Sequence, residues 1–223
     1  GVAAPALYAA VAEAAVRVGL AGYTSVELAT LCKSFLARAE GAGEDQMHEW
    51  ENRFCDMALV SAVGMNFCGF EPHHLAVLCT IAASELLHLS YESRVETVLR
   101  VLCASVLMRL ETFQTMDIGR IAEAAAKMLA VNEVEPAGPG GWRGTMRREL
   151  SKFLFLVVCA DVGLFMLLGG TDERGEEISL GMAWTTQNLD ALKAAMATAE
   201  FEPPLEWPDL SSDTRGRLRA GTL

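Results

Sequence analysis

A glutamate and a histidine with the spacing of metal ligands, Glu85-Leu86-Leu87-His88, are the first candidates for chemistry in this chain. On a helix this spacing places both side chains on one face, and di-metal carboxylate sites in four-helix bundles combine two such pairs with two further glutamates. His48, Glu49 and Glu51 do not have that spacing. We therefore expect no metal at Glu85, and we predict that His88 contributes to a helix C-terminal cap.

Two adjacent histidines, His73 and His74, follow Pro72. Neighbouring side chains on a helix point about 100° apart, so a shared metal ion is not expected, and both residues are predicted to be ordinary exposed polar residues. The glycine-rich stretch Gly138–Gly144 lacks the Lys-Ser or Lys-Thr of a phosphate-binding loop, and no Gly-x-Ser-x-Gly elbow occurs. The sequence predicts no enzyme, and no catalytic, cofactor or metal site.

The six cysteines give no sign of a zinc or redox motif, because no two lie within four positions of each other. Each lies in an apolar stretch, where a free thiol behaves as a small apolar group. We expect buried, reduced thiols, which suit a cytosolic, stromal or matrix compartment. The cysteines are Cys32, Cys55, Cys68, Cys79, Cys103 and Cys159.

Basic residues are sparse in a chain whose net charge is −11. Neutralisation of phosphates dominates nucleic-acid affinity, so an acidic chain is not expected to bind RNA over its whole surface. One local group, Arg143, Arg147, Arg148 and Lys152, could contact an RNA phosphate or an acidic partner, and a solvated helix face is the alternative. We expect at most a local contact with rRNA through these four residues.

A weak internal repeat organises the elements that would carry these residues. The segment Gly22–Cys32 aligns with Gly69–Cys79 at an offset of 47 residues, and a third copy, Thr112–Ala122, follows after 43 more. These periods are typical of two-helix repeats that stack into solenoids. Tyr23, Phe70 and Phe113 are predicted to occupy equivalent corners between consecutive helices.

Apolar spacing and cap signals predict an all-α chain of antiparallel helix pairs, stacked as a short solenoid and followed by a C-terminal helical segment. Predicted helices include 73–89 after Pro72 and 145–168. The predicted divisions are a repeat domain at 6–131, a Gly/Pro-rich linker at 132–144, the C-terminal helical segment at 145–200 and an extended tail at 201–223.

The sixteen residues Phe153–Leu168 carry a single charge, Asp161. A bilayer span needs about 20 apolar residues, and a central aspartate costs about 2.5–3.5 kcal/mol on insertion scales. We predict a buried helix, with Asp161 facing a polar partner or the exterior, and a membrane span as the alternative.

The segment Phe70–Cys79, with its counterparts at Tyr23 and Phe113, resembles the organellar helical-repeat proteins grouped as octotricopeptide, FAST-kinase-like and RAP-associated repeats. In those proteins an aromatic corner and a capped helix recur, and the resemblance covers about residues 6–131. It implies an organellar protein that binds RNA or is part of an RNA–protein assembly.

Together these observations predict a non-catalytic helical-repeat scaffold subunit of a large organellar assembly, with a mitochondrial ribosome favoured. Its partners would be neighbouring protein subunits and, locally, rRNA, with no small-molecule substrate and no membrane. The expected location is the mitochondrial matrix, with the plastid as an alternative. Two other functions remain open: an organellar RNA-binding factor, and an accessory subunit of a membrane respiratory complex.

Overall fold

Eight α-helices and one turn of 3₁₀ helix make up the regular structure of the described chain. The computed structural model describes residues 5–43, 47–86, 91–108, 110–130, 141–168 and 184–202. The predicted all-α fold class is confirmed, since no strand occurs in these ranges. The helices are α1 Pro5–Val18, α2 Ser25–Ala42, α3 Glu49–Gly64, α4 Pro72–Ala82, α5 Tyr91–Leu107, α6 Thr115–Ala130, α7 Trp142–Leu168 and α8 Thr186–Ala199, with the 3₁₀ turn at Leu110–Thr112.

The helices form two layers. In one layer α1 contacts α3, α3 contacts α5 and α5 contacts α7; in the other α2, α4, α6 and α8 contact one another in that order. Every helix from α2 onward also contacts its successor along the chain. This is the arrangement of stacked helix pairs, in which each pair buries its apolar faces against its neighbours.

A single apolar core runs through the stack from Ala12 in α1 to Ala199 in α8. The predicted C-terminal segment therefore packs directly on the repeat domain, through contacts of α7 and α8 with α5 and α6. α7 begins at Trp142, three residues before the predicted start. Residues 132–140 of the predicted linker and 203–223 of the predicted tail lie outside the described residues.

The second helix of each pair, which is α2, α4, α6 or α8, begins at the same edge of the stack. Ser25 Oγ, at the start of α2, donates a hydrogen bond of 2.6 Å to the carbonyl of Gly69, just before α4. Near the starts of α6 and α8, a Cβ added to Gly119 would lie 3.3 Å from Asn188 Cβ. At the opposite edge, Met47 N before α3 donates to the carbonyl of Leu86 after α4, at 3.1 Å, so these two helices are antiparallel.

The three predicted corner aromatics occupy equivalent positions, as the repeat requires. Tyr23, Phe70 and Phe113 each lie two residues before the first residue of α2, α4 or α6. The backbone N–H of each donates to the carbonyl three residues earlier, at 3.0, 3.1 and 3.0 Å respectively. Phe70 and Phe113 are buried, and the half-buried Tyr23 packs edge-on to Phe54 of α3.

A fourth corner aromatic, Trp184, precedes α8 in the same way. It is half-buried against the core, and Thr185 after it caps α8 by accepting the Asn188 N–H at 3.3 Å. The sequence interpretation missed this copy. The described residues therefore include four corner positions in series, one before each of α2, α4, α6 and α8.

The helix ends differ from prediction where local hydrogen bonds compete with the helix. α4 ends at Ala82, seven residues before the predicted Leu89, and Ser84 Oγ then accepts the Leu86 N–H at 3.3 Å. Such a side-chain bond offers the backbone an alternative to the helical ladder. After α3, Asn66 and Phe67 take φ values of 47° and 54°, which turn the chain before the next corner.

An ion pair buried in the core joins α2 to α3. Arg38 Nη2 lies 2.6 Å from Glu51 Oε2, with side-chain exposures of 7% and 0%. The same glutamate oxygen accepts the His48 N–H at 3.2 Å, so Glu51 also helps to cap α3.

The cysteines are free, but only half of them are buried. Cys32, Cys55 and Cys79 lie in the core, whereas Cys68, Cys103 and Cys159 are exposed, contrary to the expectation for all six. A hydrogen bond with the Cys32 thiol, together with burial, raises the pKa of Cys55. Burial also raises the pKa of Cys79, so both remain protonated thiols at neutral pH.

The apolar segment within α7 contributes to the core through Phe153, Leu154, Val157 and Val158. Asp161 is 2% exposed and has an interaction partner. Across the described ranges, no helix combines the length and apolarity that a bilayer span requires.

Candidate functional site

The four predicted contact residues, Arg143, Arg147, Arg148 and Lys152, lie in the first three turns of α7. The Arg143 guanidinium lies 5.1 Å from the centre of the Trp142 ring, a cation–π distance. The side chains of Arg147, Arg148 and Lys152 are 48%, 63% and 54% exposed. An external partner could therefore reach three of the four cations directly.

These three cations already have carboxylate partners within the chain. Arg147 pairs with Glu200 at the end of α8 at 3.1 Å, which ties the first turns of α7 to the last turn of α8. Arg148 and Lys152 both contact Glu149 Oε1, at 3.1 and 2.9 Å. Partial burial acts to raise the pKa of Glu149, but the hydrogen bonds and charges of Lys152 and Arg148 outweigh it and lower the pKa.

An RNA phosphate at this group would have to compete with Glu149 and Glu200. Exposed ion pairs contribute only about 0–1 kcal/mol, so such an exchange is energetically accessible. The local surface nevertheless carries two negative charges among its four positive ones, which weakens attraction for a polyanion. Contact with RNA or with an acidic partner through the basic group stays a prediction.

The histidine pair is arranged differently from the prediction. His74 is only 4% exposed, whereas His73 is exposed, and the two ring centres are 3.9 Å apart. Glu71 lies with them, its Oε2 3.4 Å from His73 Nδ1. Glu71 and His74 also form a second Glu-x-x-His pair, which the sequence interpretation overlooked.

Glu71, His73 and His74 form the one cluster of metal-ligating side chains found in the described part of the chain. The hydrogen bonds assign it to helix capping, because His74 Nδ1 accepts the Glu71 N–H at 3.1 Å. The Nδ1 lone pair of His74 is therefore occupied by the hydrogen bond and is not free to bind a metal ion. If Nε2 bound the metal instead, the imidazole proton would have to move to Nδ1, which could then no longer accept the Glu71 N–H. The positive end of the helix dipole also disfavours a cation there.

The same cap recurs along this edge of the stack. Glu27, three residues after Thr24, accepts the Thr24 N–H at 2.8 Å, and Asp117 accepts the backbone N–H of Gln114 in the equivalent position of α6. Glu27, His74 and Asp117 are thus equivalent third residues of α2, α4 and α6. These three polar side chains therefore have a structural role, which is to cap the starts of their helices.

Glu85, the other candidate ligand, lies in a turn after α4 rather than on a helix. α4 therefore does not place Glu85 and His88 on one helical face, since it ends before Glu85. His88 and the predicted cap there lie outside the described residues.

A cleft of about 760 Å³ opens at the far edge, where α2, α4 and α6 end. Its lining carries both signs of charge, from Glu40, Glu85, Arg94 and Lys127. Arg94 donates from Nε to the carbonyl of Ala82 at 2.6 Å, so it serves as a C-terminal cap for α4.

Exposed apolar side chains favour one layer of the stack. Among the described side chains, the large apolar residues that are more than a third exposed include several on α1, α3, α5 and α7: Leu7, Val11, Val18, Val60, Leu107 and Phe155. Val26 on α2 and Met116 on α6 are the exposed examples on helices of the other layer. Among the described side chains, α1 has three of these residues, more than any other helix.

Comparison with models of protein families, with curated proteins and with solved structures finds no match to this chain. The resemblance to organellar repeat proteins therefore stays a prediction from the corner segments.

Proposed function

We propose that this protein is a non-catalytic helical-repeat scaffold, which holds neighbouring protein subunits of a large organellar assembly. The observation that carries the proposal is the row of exposed Leu and Val side chains on α1. An exposed apolar row of this kind is typical of a surface that another protein covers.

The finer assignment rests on the resemblance at Phe70–Cys79 and its two counterparts. We propose a mitochondrial ribosome as the assembly and the matrix as the location. The acidic net charge supports protein partners over a continuous RNA interface, and any rRNA contact would be local to the basic group of α7.

Affinity purification of the full chain from the source organism's organelles, followed by quantitative mass spectrometry, tests the proposal. We expect enrichment of ribosomal proteins that survives treatment with ribonuclease, because the contacts are between proteins. Loss of every partner after ribonuclease treatment would favour an RNA-binding factor. Enrichment of respiratory subunits that resist carbonate extraction would favour the membrane-complex alternative.

A further inference from the structure

Two of the buried cysteines face each other across the junction of α2 and α3. The thiols of Cys32 in α2 and Cys55 in α3 are hydrogen-bonded to each other. Both side chains are 0% exposed, and both thiols are free. Two free thiols in contact are the arrangement from which a disulfide forms, because only their protons separate the two sulfur atoms from a covalent bond.

Two further contacts fix the register of α2 against α3. Arg38 Nη2 lies 2.6 Å from Glu51 Oε2. The rings of Phe35 and Phe54 pack edge-on, with their centres 5.4 Å apart. These contacts move three residues back along α2 and three residues forward along α3, as antiparallel helices require. One turn further back along α2, the two thiols come level, so the packing of the helices sets their contact.

Small residues flank the two cysteines on the same helix faces. Ala29 lies three residues before Cys32, Ala58 lies three residues after Cys55, and both alanines are buried. In an antiparallel pair these two positions lie at the same level, so the backbones can approach closely there. A disulfide needs Cα atoms about 4.4–6.8 Å apart, which is closer than the usual 8–10 Å or so between packed helix axes. The alanines permit that approach.

Burial keeps the pair reduced while the two helices stay packed. The thiolate is the reactive form of cysteine. The hydrogen bond with Cys32, burial and the charges of Glu51 and Asp56 raise the pKa of Cys55, so the packed core holds the thiol form. Reaction therefore requires α2 to separate locally from α3, and folded proteins undergo such openings at a lower cost than global unfolding. In the open form the thiols regain an ordinary pKa of about 8.5.

We propose that Cys32 and Cys55 form a redox-sensitive pair, which a small-molecule disulfide such as oxidised glutathione converts into a disulfide between α2 and α3. One cysteine thiolate attacks the small disulfide, which breaks its S–S bond, forms a mixed disulfide and releases one small thiolate. The second cysteine thiolate attacks the protein sulfur of the mixed disulfide, so the Cys32–Cys55 bond forms and the second small thiolate leaves. The two small thiolates take up the two protons that the cysteines lost, and the small disulfide accepts both electrons.

The bond locks the two helices to each other. It closes a loop through residues 33–54, and a disulfide that closes a loop stabilises the folded state mainly by constraining the unfolded chain. Once α2 and α3 pack again, the linked sulfur atoms lie in the core, away from reductants in solution. The pair belongs to the repeat itself, so it goes beyond the scaffold function and does not depend on it.

Oxidation of the full chain by excess oxidised glutathione at pH 8 tests the pair, followed by alkylation of the remaining thiols and peptide mass spectrometry without reduction. Trypsin and chymotrypsin together separate Cys55 from Cys68, since Phe67 lies between them. We expect the peptide that links Cys32 to Cys55 to be at least tenfold more abundant than any other linked pair. A dominant link from Cys32 to another cysteine, or glutathione adducts that persist on both residues, would overturn the proposal.

The dependence on urea tests the opening step. The link should form at least tenfold faster in urea just below the unfolding midpoint than in buffer, because urea favours the separation of α2 from α3. Equal rates would overturn the requirement that the helices separate first. If Cys32 and Cys55 both remain reduced even in urea, the pair itself is refuted.

Variants separate this pair from the other buried thiol. Cys32→Ser should abolish the link and leave a glutathione adduct on Cys55. Cys79→Ser, the control in α4, removes an equally buried cysteine and should leave the yield of the link unchanged. A yield that falls as far in Cys79→Ser as in Cys32→Ser would contradict the assignment.

The melting temperature shows whether the packed helices accommodate the bond. Serine replaces the three exposed cysteines in every protein compared here, so that adducts on them do not contribute: Cys68, Cys103 and Cys159. The linked chain should keep its helical circular dichroism at 222 nm and melt about 5–10 °C higher than the reduced chain. A linked chain that loses the helical signal, or that melts no higher than the reduced chain, would overturn the proposal without bearing on the scaffold function.

Discussion

Removal of one partner from the buried Arg38–Glu51 pair tests the core of the first repeat most severely. Glu51→Ala would leave the Arg38 guanidinium 7% exposed and without its 2.6 Å carboxylate contact. It would also remove the acceptor of the His48 N–H, which caps α3. Breaking a buried ion pair on one side typically costs about 3–5 kcal/mol. For a chain of this size each kcal/mol lowers the melting temperature by about 2–4 °C, so we expect a loss of roughly 6–20 °C.

Urea unfolding followed by circular dichroism at 222 nm gives the free energy directly. The double variant Arg38→Met/Glu51→Leu removes both charges and should recover most of the loss, since apolar replacements of a buried pair are often neutral. Glu96→Ala is the matched control, because Glu96 forms an exposed pair with Arg100 at 3.5 Å and should cost less than about 0.5 kcal/mol. A loss below about 1 kcal/mol for Glu51→Ala would refute the buried pair.

Three further changes test other parts of the structure. Gly69→Ala places a side chain at φ 78°, which should cost about 1–2 kcal/mol of stability. Gly64→Ala, the control, places its side chain in open space and should be neutral. Equal urea midpoints for the two variants would contradict the corner geometry. Burial lowers the pKa of His74, so the native state favours the neutral imidazole. The neutral imidazole therefore stabilises the fold fully above about pH 6.5, the ordinary histidine pKa, and this stabilisation is lost as the pH falls through the lowered pKa. The urea midpoint should therefore fall between about pH 7.5 and 5.5, and His74→Gln should reduce that difference; an unchanged difference would count against the cap. Gly119→Leu would force α6 and α8 apart at Asn188 and should lower the free energy of unfolding by about 1–3 kcal/mol. Gly144→Leu, the control, places its side chain in open space and should not destabilise the protein. Comparable urea curves for the two variants would argue against the contact of α6 with α8.

Local signals in the sequence predicted the all-α fold class and three corners correctly. The turn before Phe70 and the proline at the start of α4 both act within a few residues, so the sequence alone contains their geometry. The second-layer copy at Trp184 was missed because α8 has Leu189-Asp190 where the first two copies have a Leu-Ala pair. Its corner aromatic lies in the same position, and Thr185 caps α8 with its side chain as Thr24 caps α2.

Contacts between distant residues could not be predicted from one sequence. The pairing of Arg38 with Glu51, and of Arg147 with Glu200, depends on how helices stack rather than on local spacing. The burial of His74 and the exposure of Cys103 depend on which helix faces the neighbouring layer. For the candidate site, Arg147, Arg148 and Lys152 were correctly placed on one helix, whereas Arg143 was predicted in the linker and lies on α7. The carboxylate partners of these residues were not foreseen.

The early end of α4 illustrates how a side chain overrides apolar periodicity. Leu86 continues the apolar spacing of α4, but the helix has already ended at Ala82. The Leu86 N–H instead donates to Ser84 Oγ in the turn that follows. Serine competes with the helical ladder in this way because its hydroxyl reaches nearby backbone groups.

Sedimentation of the endogenous protein tests the central claim most directly. An organelle lysate from the source organism would be separated on a sucrose gradient after ribonuclease inhibition, and the chain located by immunoblot. The account predicts that the protein migrates with a large ribonucleoprotein particle, and that Val11→Asp shifts part of it to the top of the gradient. Wild-type protein found only at the top, as a free monomer, would contradict the account.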